Sequence, residues 1–98
     1  MDFDPKSYEG FEWDAGNDKK SFIKHDVRCE EAQQIFFNEP FFVAEDEKHS
    51  LKEKRYHALG KTDEGKFLHV SFTLRGLYIR IISARPMHRK ERNLYEKI

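Results

Sequence analysis

Residues 55–85 read RYHALGKTDEGKFLHVSFTLRGLYIRIISAR, and the fold turns on how this stretch is parsed. Its apolar residues recur at every second position, the spacing of strands rather than helices. Three strands are predicted, over 55–61, 66–73 and 77–84. The first pair is joined by Thr62-Asp63-Glu64-Gly65 and the second by Arg75-Gly76, and connections this short make antiparallel neighbours. Pro86, with no N–H to donate, is expected to end the ladder. Alternation puts Leu68, Val70, Phe72 and Leu74 on one side of the middle strand, with Phe67, His69, Ser71 and Thr73 on the other. In the first strand Arg55, His57 and Leu59 oppose Tyr56 and Ala58. In the last, Ile79, Ile81 and Ser83 oppose Tyr78, Arg80 and Ile82, and Arg85 stands at the strand end. One face of the predicted sheet is core and the other is polar.

Working outward, residues 41–46 (FFVAED) keep the period of two and add a strand, followed by a polar loop over 47–51. Before them the period is helical. Cys29, Ala32, Ile35 and Phe36 mark a helix over 29–37, with Glu30 and Glu31 at its positive end and Asn38-Glu39-Pro40 stopping it. Asp14 stands where it would cap an earlier surface helix over 15–25, whose apolar residues are Phe22 and Ile23. Phe11-Glu12-Trp13 reads as a short edge strand, and residues 1–10, which contain Pro5 and Gly10 and show no period, read as a mobile N-terminal segment. Leu94, Tyr95 and Ile98 recur at helical spacing, so a C-terminal helix is expected within 88–98. The predicted class is α+β: two N-terminal helices packed on an antiparallel sheet of about four strands, a short N-terminal edge strand and a C-terminal helix, forming one domain over 11–98.

Ninety-eight residues suffice for one core and not for two. With 38% hydrophobic and 14% aromatic residues, the chain can build that core in spite of its 37% charged content. No apolar run approaches the roughly 20 residues that span a bilayer, and MDFDPKSYEG lacks the layout of a signal peptide, so a cytoplasmic protein without membrane contact is expected. The single cysteine, Cys29, excludes an internal disulfide and reads as a small core residue. His25, His49 and His88 fall in no metal-ligand spacing, and neither a metal nor another cofactor is expected. The net charge is zero, yet residues 1–50 hold 6 Lys/Arg against 13 Asp/Glu while residues 51–98 hold 12 against 5. A basic half suits a phosphate-bearing partner; two halves that merely solvate their own exteriors have the same composition, so the placement of individual arginines decides. No helix-turn-helix pattern with a basic recognition helix is present, which argues against a stand-alone DNA-binding domain.

With the helices over the apolar face, the open face gathers Arg55, His57, His69 and Arg80, with Arg85 at its rim. A guanidinium stays charged and pairs bidentately with phosphate oxygens, and imidazole is the usual proton carrier near neutral pH. Each residue also has a plainer reading: half-buried strand histidines, and for Arg80 a salt bridge to a carboxylate such as Glu91. Glu91 and Tyr95, one helical turn apart, can reach the sheet near Arg85 either as reactive groups or as a salt bridge with a capping aromatic. Trp13 and Phe22 read as packing anchors rather than base-stacking platforms.

The ordered set FEWD (11–14), Lys24-His25 with Val27, EEA (30–32), FFNEP (36–40), Asp46 with His49-Ser50, Arg55-Tyr56 with Ala58-Leu59-Gly60, and IRIISAR (79–85) with Arg89-Lys90-Glu91 and Tyr95 resembles the BrnT toxin family over nearly the whole chain from Phe11 onward. The chain departs from that pattern at Asp26, where glycine is usual, at Ser21, where asparagine is frequent, and at Cys29, which fills an aromatic slot. The resemblance implies a RelE-like fold and a ribonuclease that arrests growth. It also implies a BrnA-type antitoxin, a ribbon-helix-helix DNA-binding protein through which alone the complex touches operator DNA. On that footing the expected chemistry is metal-independent attack of a ribose 2′-hydroxyl on the adjacent phosphate of an RNA substrate. Arg55, Arg80 and Arg85 would stabilise charge, His57 or His69 would transfer protons, and Glu91 and Tyr95 stand in reserve. The rival expectation is a catalytically weak toxin scaffold that serves as the antitoxin's co-repressor subunit.

Overall fold

In the computed structural model, which describes residues 3–13, 24–50 and 52–98, the elements run β1 (Gly10–Trp13), α1 (Cys29–Gln34), β2 (Phe42–Glu45), β3 (Arg55–Lys61), β4 (Phe67–Arg75), β5 (Tyr78–Pro86) and α2 (Arg89–Glu96). The chain is α+β. Its sheet has five strands in the order β1-β5-β4-β3-β2. The pairs β2/β3, β3/β4 and β4/β5 are antiparallel, whereas β1 lies parallel to β5 with Glu12 opposite Arg80, so the sheet is mixed rather than antiparallel throughout. Pro86 does not end the ladder as expected, because the Met87 N–H donates to the Phe67 carbonyl at 3.0 Å. On its other edge β5 is paired with β1 only as far as Ile81, so the missing proline donor leaves no bond unmade there.

The helical layer rests on one side of this sheet. Ala32 of α1, with Ile35 and Phe36 of the 3-10 turn Ile35–Phe37, joins Ala58, Val70, Phe72, Ile79, Ile81 and Ala84 in a single buried cluster. The helix expected over 29–37 thus tightens after Gln34. Its start is closed by Glu31, whose Oε1 accepts from the Arg28 N–H at 3.1 Å and satisfies one free donor of the first turn. Asn38 Nδ2 then donates to the Lys61 carbonyl (3.0 Å) and to Asp63 Oδ1 (2.9 Å), which ties the helix exit to the turn after β3. Gly60 permits the close approach: a Cβ there would stand 2.8 Å from Ile35 Cβ and 3.0 Å from its carbonyl oxygen.

The helix expected over 15–25, with its cap at Asp14, lies outside the described residues except for Lys24 and His25, which are helical. Asp26 follows with a φ of 55°, the left-handed position that favours glycine. Over residues 3–10 the chain packs against the core through the partly buried Phe3 and Tyr8. Asp4 caps a 3-10 turn at Pro5–Ser7, and the Phe3 ring sits among those of Tyr8, Phe36, Phe41 and Phe72 at centroid distances of 5.3 to 6.2 Å. Among the described residues no helix is long and apolar enough to cross a membrane.

The sheet's second face is covered at one end by α2. Tyr95 packs on Phe67 with ring centroids 5.6 Å apart, the Arg92 guanidinium lies 4.4 Å from the centre of the same ring, and the Tyr95 hydroxyl donates to the Pro40 carbonyl. Beyond α2 this face is free of helices among the described residues, and that free part carries the polar alternation.

Candidate active site

Strict alternation along β5 would turn Arg85 and Ser83 toward the helices together with Ile79 and Ile81. A β-bulge prevents this. Phe72 pairs with Ile81 and Ser71 with Ser83, so Ile82 is an extra residue and the phase shifts by one. Ala84, not Ser83, enters the core, while Ser83 and Arg85 emerge on the open face opposite Ser71 and His69. The register of β3 completes the set by placing Arg55 opposite Thr73 and His57 opposite Ser71. Arg55, His57, His69 and Arg85 therefore border one depression of about 280 Å³, whose floor includes Ser71, Ile82 and Ser83 and whose far wall is Asp46 and His49.

The far wall is a tight knot at the end of β2. Asp46 caps the 3-10 turn Glu47–His49 by accepting from the His49 N–H (3.3 Å), and its Oδ2 meets His49 Nδ1 at 2.8 Å and His57 Nε2 at 3.1 Å. Ser50 Oγ donates to the Asp46 carbonyl and accepts from the Arg55 N–H at 3.0 Å, and the Asp46 N–H donates to the Arg55 carbonyl at 2.7 Å. Burial pushes the Asp46 carboxyl up, but the His49 hydrogen bond and the charges of His57 and His49 outweigh it and hold the group below its ordinary range. His57 Nδ1 is buried with no hydrogen-bond partner among the described residues, a condition shared by His69 Nδ1. The two imidazoles lie side by side, 4.9 Å between centroids.

His69 is the deeper of the two, with 9% of its side chain exposed against 37% for His57. Burial, reinforced by the Arg85 charge, lowers its pKa to about 4 in spite of Glu91 at 3.7 Å, so it is neutral at pH 7. Glu91 receives both Arg85 Nη atoms, at 2.8 and 2.9 Å, and the His88 N–H at 2.8 Å. Burial works against its ionisation, yet these donors bring it down to about 2. Arg85 also donates to the Pro86 carbonyl at 3.1 Å, and a guanidinium with five N–H donors keeps others for a ligand. Arg55 has no carboxylate partner among the described residues.

Three sequence-predicted residues do not line the depression: Glu91, which meets it only through Arg85 and His69, and two that stand farther apart. Arg80 projects from the same face on the near side of the bulge, opposite Thr73, and reaches Glu12 Oε2 of β1 at 3.4 Å. Among the described residues the carboxylate beside it is Glu12 and not Glu91. Tyr95 is buried under α2, where desolvation raises its pKa, and its hydroxyl is engaged by Pro40. Asp46, His49, Ser71 and Ser83 were missed as site residues. The Asp46/His49-Ser50 string was the available signal for the first two, and nothing in the alternation marked the serines. Among the described residues no three His, Cys, Asp or Glu side chains converge to hold a metal ion.

A helical layer behind a mixed sheet, with arginines and imidazoles gathered on the sheet's other side, defines a small α+β protein with a basic, imidazole-lined depression. Residues 13–91 match the family described as "Ribonuclease toxin, BrnT, of type II toxin-antitoxin system". The chain belongs to this BrnT family of ribonuclease toxins, whose toxin-antitoxin character implies an antitoxin as partner. In fold it is similar to the crystal structure of the Brucella abortus ribonuclease toxin BrnT, with a TM-score of 0.61 and 18% sequence identity over 82% of this chain and 97% of that one. No curated protein matches it by sequence.

Proposed function

We propose that the protein is an endoribonuclease that cuts RNA without a metal, a ribose 2′-hydroxyl attacking the adjacent phosphate to leave a 2′,3′-cyclic end. The observation that carries this reading is the meeting of Arg55, His57, His69 and Arg85 around one depression. The reaction needs a base, cations for the developing phosphorane charge, and an acid for the departing 5′-oxygen. Arg55 and Arg85 are assigned to the charge: Arg55 has no carboxylate to neutralise it among the described residues, and Glu91 aims the Arg85 fork while leaving it donors. Proton transfer is assigned to His57, the more exposed imidazole, acting through Nε2, which stands 3.1 Å from Asp46: it takes the 2′-hydroxyl proton and returns it to the departing 5′-oxygen. His69, neutral at pH 7, packs behind it. Arg80, beside Glu12, flanks the RNA path instead of gripping the scissile phosphate, and Glu91 and Tyr95 serve as scaffold.

The helices on one sheet face and the free surface on the other support reading the fold as RelE-like, with RNA on the free side. Family membership supports a BrnA-type antitoxin carrying a ribbon-helix-helix, through which the pair contacts operator DNA, and an RNA target is met in the cytoplasm. The test is induction without antitoxin. Arg55→Ala and Arg85→Ala are expected to lower cleavage by about 100-fold each and to relieve growth arrest. Cleavage by the parent protein is expected to persist in excess EDTA. Full arrest by a folded double variant would defeat the assignment, and parent protein that leaves RNA intact at high concentration would favour a co-repressor role.

A further inference from the structure

Next to the depression, and sharing Arg55 and His49 with it, lies a larger hollow of about 540 Å³ whose remaining wall is Lys48, Lys52, Glu53 and Arg75. Three parts of the chain meet there: the turn after β2, the approach to β3, and the end of β4. Lys48 and Lys52 have no carboxylate partner among the described residues. Arg75 is loosely held, its Nη2 standing 3.5 Å from Glu53 Oε1 with both side chains exposed, at 51% and 39%. Four permanent cations thus face one carboxylate across a concave surface, an arrangement that repels itself when empty and draws an anion.

We propose that this hollow is a subsite for the phosphate that flanks the cleaved linkage of an RNA chain, an inference that rests on the ribonuclease reading above. Continuity favours a polynucleotide over an isolated anion or an acidic peptide. Arg55 and His49 border both hollows, so a strand whose scissile phosphate is held at Arg55 and Arg85 delivers its neighbouring phosphate to Lys48, Lys52 and Arg75. The wall contains no Phe, Tyr or Trp on which a base could stack, and its one imidazole, His49, is tied to Asp46 at 2.8 Å, so the contact is made to the backbone and is blind to sequence. Glu53 is a built-in brake on this subsite, since it takes up one of the cations.

The experiment compares the full-length protein with a Lys48→Ala/Lys52→Ala/Arg75→Ala variant and with Glu53→Gln. Substrates are a dinucleotide and longer single-stranded RNA; binding is measured separately with 2′-O-methyl oligonucleotides, which lack the nucleophile. The triple variant is expected to raise KM for long RNA by about tenfold with kcat unchanged and to leave the dinucleotide unaffected. It should also flatten the salt dependence of binding by about 0.7 for each phosphate that is no longer neutralised. Glu53→Gln is expected to act in the opposite direction and tighten long RNA, which a general loosening of the fold would not do. Unchanged KM and salt slope in the triple variant would overturn the proposal. So would loss of antitoxin binding with RNA affinity intact, which would assign the hollow to an acidic segment of that partner. If the triple variant weakens 2′-O-methyl RNA while no protein cuts RNA, the subsite stands and the cleavage chemistry fails; cleavage that ignores all these changes has the reverse meaning.

Discussion

His69 resists protonation because the ion would have to form in a nearly dry pocket beside Arg85, and this couples one side chain to the stability of the whole protein. Its pKa falls from 6.5 to about 4 on folding, so the unfolded chain takes up the proton first. Stability is therefore complete above about pH 6.5, declines as the pH drops toward 4 and levels off below, a loss of about 3 kcal/mol at most. Glu91 shifts from 4.5 to about 2, and a carboxylate lowered by folding contributes above its ordinary value and is lost as the pH falls through that interval. Asp46 moves in the same direction and joins this second stage. The expected urea midpoint thus drops in two overlapping steps. In His69→Gln the upper step should vanish and the lower remain; a His69→Gln protein that keeps the full slope between pH 6.5 and 4 would show that another group is responsible. Asp26 carries a different local strain, a left-handed backbone in a residue with a Cβ, eased by the short polar side chains that tolerate this region best.

At the scale of elements, Gly60 sets how closely the helical layer can lie on β3. The ideal Cβ position is 2.8 Å from a side-chain atom that is itself fixed in the core and 3.0 Å from main chain, so neither neighbour can yield cheaply. Gly60→Ala is expected to cost about 1–3 kcal/mol through overpacking, read as a lower urea midpoint with an unchanged m-value. A variant as stable as the parent would mean that the 3-10 turn at Ile35 moves away freely. The strands were legible because their alternation is nearly unbroken: β3 spans the predicted residues, and β4 and β5 differ at their ends. The parallel seating of β1 left no local trace, since a strand of four residues carries no signal about its neighbour's direction. The bulge at Ile82 was equally silent, as IRIISA shows no glycine or other sign of an inserted residue. That one element decides the site, because without it Arg85 would point at the helices. The placing of Arg55, His57 and His69 on the open face was legible from period alone; Asp46 reads in the sequence as the end of a strand before a polar loop, and only the fold brings its carboxylate to His57.

Across the whole molecule, the sheet separates the main core from the candidate site. The aromatic cluster that Phe3 enters lies on the helical side, while the depression bordered by His57 and Arg85 opens on the other, with the backbone layer of β3, β4 and β5 between them. A change confined to the first face should alter how much protein is folded and not what the folded protein does. Phe3→Ala is the sharpest case, because Phe3 touches the rings of Tyr8, Phe36, Phe41 and Phe72 while lying at the start of the chain, far in sequence from every proposed catalytic group. Phe3 is partly exposed, so the destabilisation should fall below the value for a fully buried ring, at about 2 kcal/mol, or about 10 °C in Tm for a domain of this size. At a temperature where circular dichroism shows the variant fully folded, kcat/KM for RNA should equal that of the parent. A fall in kcat/KM under those conditions would mean that the aromatic cluster holds the register of β4 and β5 near the bulge, and that the two faces are mechanically one.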